Sequence, residues 1–212
     1  MRDAAGATSS ATVTMTVNGV DAPPTPNGVY RIGPEFLVNT MTASDQSNPT
    51  ITGLTNGGFV VTWQDASGTL GDNAGTSIKA QLLNATGDKV GNEFLINSQV
   101  QGYQMNPAIS ALAVGGFVAA WESNGIKAQV FDATGSKVGA ELRVDQAGWG
   151  GSAEIKPRVT GLANGDFVVT WQDGFYDGDQ YIYGTTSSFT IQGQRYNSGG
   201  NAIGSGAIVE SW

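Results

Sequence analysis

The residues best equipped for chemistry stand together in one stretch, Asp173-Gly174-Phe175-Tyr176-Asp177-Gly178-Asp179-Gln180. Aspartates at close intervals with glycine between them can converge on one hard cation, because glycine permits the tight backbone this needs. Asp173, Asp177 and Asp179 are therefore candidate calcium ligands, helped by backbone carbonyls. The spacing is looser than an EF-hand loop and lacks the downstream bidentate Glu. Asp65 with Asp72-Asn73 is a poorer analogue, and Glu122 with Asn124 is all that corresponds between them. An ordinary Asp/Gly turn is the plain alternative.

The same stretch carries Phe175, Tyr176, Tyr181 and Tyr183, with Trp149 on a different loop. Aromatic faces beside carboxylates suit carbohydrate, which needs a flat apolar surface and directional acceptors. The alternative is that these rings cap one end of the fold. Paired carboxylates also hydrolyse glycosides. A calcium ion can polarise an ester or lactone carbonyl, or activate water, with Asp or Glu as base. For such a hydrolase, Glu122, Asp173, Asp177 and Asp179 are the catalytic candidates.

Composition excludes much else. The 212 residues contain no His and no Cys. That removes the Ser-His-Asp and Cys-His relays, imidazole metal sites, disulfides and thiolate-bound zinc. No Gly-x-Ser-x-Gly elbow is present. The net charge of −8, with 10 scattered basic residues, offers no stripe to neutralise phosphates, so nucleic acid is not an expected partner. No apolar run approaches the length of a membrane span. The start, Met1-Arg2-Asp3-Ala4-Ala5-Gly6, has no apolar signal core. The acidic, Lys-poor balance fits a secreted or cell-surface protein, reached by another address or as part of a longer chain. It also simply aids solubility.

The elements that must position these residues are repeats. Gly57-Gly58-Phe59-Val60-Val61-Thr62-Trp63 aligns with Gly115-Gly116-Phe117-Val118-Ala119-Ala120-Trp121 and with Gly165-Asp166-Phe167-Val168-Val169-Thr170-Trp171. Each is preceded by a Pro-containing run, Asn48-Pro49-Thr50-Ile51, Asn106-Pro107-Ala108-Ile109 or Lys156-Pro157-Arg158-Val159. Each is followed by Ile78-Lys79-Ala80-Gln81, Ile126-Lys127-Ala128-Gln129 or Ile191-Gln192-Gly193-Gln194. A fourth run closes one unit and opens the next: Glu35-Phe36-Leu37-Val38, Glu93-Phe94-Leu95-Ile96, Glu141-Leu142-Arg143-Val144, and finally Gly206-Ala207-Ile208-Val209.

These runs are short, β-branched and aromatic, and bounded by Gly, Asn, Asp or Pro, which reads as strands. The Phe-Val-Val-Thr-Trp run is apolar on both pleat faces, as a strand between neighbouring sheets must be. Asn84-Ala85-Thr86-Gly87 and Asp132-Ala133-Thr134-Gly135 read as hairpin turns with glycine in the left-handed position, and Asn197-Ser198-Gly199-Gly200 as a looser version. The expected class is all-β, built from repeated four-stranded units, β-propeller-like with three blades. Propellers have typically four to eight blades. A second chain completing a six-bladed ring, a fragment of a larger ring, and a β-trefoil-like barrel are the ways to reconcile three units. A two-sheet sandwich is the remaining architecture. Residues 1–32 read as an N-terminal strand and Pro-rich linker, and 33–212 as the repeat domain, in units of about 35–92, 93–140 and 141–212.

Glu35-Phe36-Leu37-Val38-Asn39-Thr40, Asn48-Pro49 and Gly57 to Gln64 together resemble the propeller-like repeats of large secreted bacterial proteins of calcium-binding, haemolysin or adhesin type. The resemblance covers roughly 33–212. The haemolysin nonapeptide is absent, so its calcium mode does not carry over. Residues 11–24 resemble the last strand of a cadherin-like or VCBS-type repeat, with a plain edge strand as the alternative. Asp21 is similar to that family's interdomain calcium ligand. The resemblance implies a secreted calcium-binding module for glycan binding or adhesion. The alternative is a calcium-dependent lactonase, esterase or glycosidase built without His.

Overall fold

The computed structural model describes residues 35–145, 152–175 and 189–209. The chain divides into two compact units, Met1–Leu37 and Val38–Trp212. Of the first, only Glu35, Phe36 and Leu37 are described, with Phe36 and Leu37 largely exposed. The described strands all belong to the second.

Three antiparallel sheets of four strands follow one another along the chain. The first runs β1 (Gln46–Gly53), β2 (Phe59–Asp65), β3 (Ser77–Leu83) and β4 (Lys89–Leu95). The second runs β5 (Met105–Ala111), β6 (Phe117–Glu122), β7 (Ile126–Phe131) and β8 (Lys137–Arg143). The third runs β9 (Ser152–Gly161), β10 (Phe167–Phe175), β11 (Phe189–Tyr196) and β12 (Ala202–Val209). Each sheet pairs only consecutive strands, which is the meander of a propeller blade. The repeat is therefore β-propeller-like, and the trefoil-like barrel does not describe it. Among the described residues there is no helix, and so none long and apolar enough to cross a membrane. The run Glu35–Val38, which its sequence aligns with a fourth strand, carries no strand assignment.

The double-faced apolar strands stack these sheets. Val60, Ile78, Ala80 and Leu82 of the first sheet meet Phe117, Ala119, Trp121 and Phe131 of the second. The opposite face of that second sheet, with Val118, Ala120, Ile126 and Ala128, meets Phe167, Val169, Trp171 and Tyr196 of the third. Phe117 stacks on Phe131 at 4.8 Å between ring centroids, and Phe167 on Tyr196 at 5.2 Å. Trp63, Trp121 and Trp171 are all buried. Truncating such a ring to Ala costs about 3–5 kcal/mol.

Two irregularities recur and matter for the polar residues. The strand before each proline bulges, with Asn48, Asn106 and Lys156 at φ of 52°, 52° and 54°. Asn tolerates this left-handed conformation and Lys does so at a cost. The bulge delivers a backbone N–H to the preceding sheet: Asn106 N donates to Gln64 Oε1, and Lys156 N to Glu122 Oε1 at 2.6 Å. A second bulge lies between the third and fourth strands of each sheet. It is held by a buried or half-buried glutamine. Gln81 donates to the carbonyls of Leu82, Val90 and Gly91, Gln129 to those of Val130, Val138 and Gly139, and Gln194 to those of Arg195 and Ile203.

Candidate functional site

Three polar positions recur in every repeat: one just after the fourth run, one two residues before the Asn or Lys that precedes each proline, and one two residues after the tryptophan of each second strand. For the first sheet they are Asn39, Gln46 and Asp65. For the second they are Asn97, Gln104 and Ser123. For the third they are Asp145, Glu154 and Asp173. The first two sets are amides with one acid or one hydroxyl. The third set is three carboxylates.

In the first sheet the acid is neutralised. Trp63 pairs across the ladder with Lys79, which brings Lys79 Nζ to 2.9 Å from Asp65 Oδ1, both side chains fully buried. Ser67 donates to Asp65 through its backbone N–H and its hydroxyl, and Trp63 Nε1 donates at 3.4 Å. Lys79 also donates to Ser67 and Thr69 and lies 3.6 Å from Glu93. Burial is the largest influence on Asp65 and acts upward. The bonds from Ser67 and Lys79 together outweigh it and hold the carboxyl below its usual range.

In the third sheet the cation is missing. Trp171 pairs with Gln192, the counterpart of Lys79 and Lys127. Gly206 stands where Glu93 and Glu141 stand. Asp173 faces Glu154 across β9 and β10. Its Oδ1 is shielded from solvent and has no hydrogen-bond partner. Burial first, then the negative charges of Glu154 and Asp145, push its carboxyl up. Asp145 is itself held: Oδ1 accepts Ile126 N at 2.7 Å and Oδ2 accepts Arg143 Nη2 at 2.8 Å. Burial and the charge of Asp145 push the Tyr196 hydroxyl up to about 12.

The residues expected from sequence separate on this frame. Asp65 and Asp173 occupy the same repeat position in different sheets. Asp72 is buried in the connection between β2 and β3, with Oδ2 accepting Asn97 Nδ2 at 2.8 Å. Glu122 ends β6 and anchors the third sheet through Lys156 N. Phe175 ends β10, its backbone paired with Ser152. Asp177, Asp179, Tyr176, Tyr181, Tyr183 and Trp149 lie outside the described residues. Among those described, no group of three or more acidic side chains is placed to hold a metal ion. Asp145 and Glu154 were missed by the sequence reading. Extending the repeat alignment one residue past Val144 and two before Lys156 exposes them, as acids where Asn97 and Gln104 stand.

No protein-family model and no curated protein matches the chain. Solved structures do resemble it. One is the Bacteroides ovatus xyloglucan PUL GH43B, with 19% identity, a TM-score of 0.48, and coverage of 78% of this chain and 29% of that one. Another is the alpha-L-arabinanase of Cellvibrio cellulosa, with 13% identity, a TM-score of 0.41, and coverage of 79% and 60%. The chain thus spans less than two thirds of either structure's length.

Proposed function

We propose that the protein is a carbohydrate-directed β-propeller module, acting at or outside the cell surface, with Asp173 and Glu154 as a carboxylate pair working on glycosidic bonds. The observation that supports this is Asp173: a half-buried carboxyl raised above its usual range beside two further acids. Environments that keep one acid protonated beside a charged one are what glycoside hydrolysis uses. Asp173 donates its proton to the leaving oxygen. Glu154, as the carboxylate, attacks the anomeric carbon or takes a proton from the attacking water. Burial first, then the charges of Glu154 and of Asp145, which accepts from Arg143 and Ile126 N, push the Asp173 carboxyl up.

A panel of aryl glycosides and plant and microbial polysaccharides tests the reading. Turnover by the wild type should fall at least 100-fold in Asp173→Asn and in Glu154→Gln, with folding intact by near-UV circular dichroism. Unchanged turnover in either variant sinks the assignment. A second reading, binding and adhesion without turnover, draws on Glu122 and Asp145, two acids committed to backbone N–H groups. It gains if polysaccharide binding is measurable by calorimetry while no substrate is cleaved.

A further inference from the structure

Among the described residues, three aspartates are nearly excluded from solvent: Asp65 at 1%, Asp72 at 1% and Asp145 at 4% exposure. Lys79 neutralises the first and Arg143 the third. Asp72 has no such partner among the described residues. Its Oδ2 accepts one N–H from Asn97, and its Oδ1, buried, accepts none. A buried carboxylate without a partner is costly unless something neutralises or ligates it.

The surroundings are rich in oxygen and poor in protons. Asn97 Nδ2 lies within bonding distance of three acceptors: Asp72 Oδ2, Gln99 O and Gln104 Oε1. Gln104 Nε2 likewise reaches three: Gln101 O, Gly102 O and Ser123 Oγ. Two amide groups and the Ser123 hydroxyl bring five hydrogens to six acceptors, before Asp72 Oδ1 is counted. Asn97 cannot turn its own oxygen inward, because Asn97 Oδ1 already accepts Ile78 N at 2.9 Å. The loop that carries Asp72 is pressed onto this group. A Cβ at Gly75 would stand 2.3 Å from Gly102 O, so the loop cannot close this way with a larger residue.

We propose that this group of residues, Asp72, Asn97, Gln104 and Ser123 with the carbonyls beside them, binds one hard cation. Asp72 Oδ1 is the charged ligand and the surrounding carbonyl, amide and hydroxyl oxygens are neutral ones. Oxygen ligands of this mixture are those calcium accepts, and a single carboxylate places the affinity in the weak class, roughly 10⁻⁴–10⁻³ M. The inference does not rest on the carbohydrate reading.

The test follows the melting temperature of the chelator-treated full chain with added calcium chloride, and with sodium chloride at matched ionic strength. Ten-fold saturation with the bound ion should raise the midpoint by roughly 3–5 °C. A rise with sodium alone assigns the site to a monovalent hard cation and supports the proposal in that form. Asp72→Asn, which keeps the shape and removes the charge, should abolish the rise. The double variant Asp177→Asn, Asp179→Asn should keep it. Should Asp72→Asn not fold, Ser123→Ala must weaken the ion midpoint several-fold, and an unchanged midpoint overturns the proposal. So does a wild type indifferent to every ion. That is the result expected if only a water meets Asp72 Oδ1. A rise retained in Asp72→Asn, or lost in the double variant, overturns it equally.

Discussion

Asp65 in the first sheet and Asp173 in the third stand at the same point of the repeat, two residues after a tryptophan. Their electrostatics are opposite. Asp65 meets a buried lysine and the backbone N–H and hydroxyl of Ser67, and its carboxyl is held below its usual range. Asp173 meets a glutamine in the lysine's place and two further acids, and is pushed toward the protonated form. The side chains around the two positions differ: Lys79 against Gln192, Gln46 against Glu154, Asn39 against Asp145, and in the first sheet Ser67 also donates to the carboxylate. One repeat uses the position to hold itself together. Another leaves it strained, and strained titratable groups mark candidate functional sites.

The largest test of this contrast removes the cation from the first sheet. Lys79→Met strands a buried Asp65 and should cost about 3–5 kcal/mol in urea unfolding. Adding Asp65→Leu should restore most of that loss, since an apolar pair is often neutral relative to a buried ion pair. If Lys79→Met is silent, the ion pair is not what distinguishes the sheets. The reciprocal exchange moves the cation to the third sheet. Gln192→Lys should lower the midpoint of the Asp173 titration, followed by carboxyl NMR, by roughly 1–3 pH units. An unmoved midpoint means the missing lysine does not explain Asp173.

The smallest expected effect is in the pH dependence of stability. Asp65 holds its proton less tightly folded than unfolded. Its contribution is present above the ordinary value of 3.8 and is lost as pH falls through the lower folded value. Asp173 runs the other way. Its contribution is present below 3.8 and is lost as pH rises through the raised folded value. Asp65→Asn should therefore change the stability profile below 3.8, and Asp173→Asn above it. Changes in the same window for both variants would erase the distinction.

The repeats, their four strands and the glycines of the hairpin turns were legible in the sequence because each rests on local pattern. Gly87, Gly135 and Gly200 take φ of 88°, 85° and 83°, in turns that each begin on an Asn or Asp three residues earlier. The Lys79–Asp65 pair was not legible. It depends on the register of β2 against β3 across a long connection, which no spacing reveals. The acidic trio was half legible. Asp173 drew notice for its aspartate-rich neighbours. Asp145 and Glu154 did not, because each is a lone acid whose meaning appears only against Asn97 and Gln104 in the previous repeat. Asp72 looked like a partner of Asp65, whereas the fold gives one to a lysine and the other to a pair of amides.

The glutamine-held bulges have a consequence for solubility. β4, β8 and β12 are sheet margins, and a straight margin offers free N–H and C=O groups to any passing strand. Gly91, Gly139 and Gly204, at φ of 69°, 70° and 79°, twist these margins away from the flat form that templates aggregation. Lys89 and Lys137 add charge at two of them, while Ala202 takes that place in the third. The faces of the sheets behave differently. Ile191 is 49% exposed on the outer face of the third sheet, where Ile78 and Ile126 are fully covered by the sheet that follows. The margins of the sheets are thus guarded, while the uncovered apolar surface lies on a sheet face.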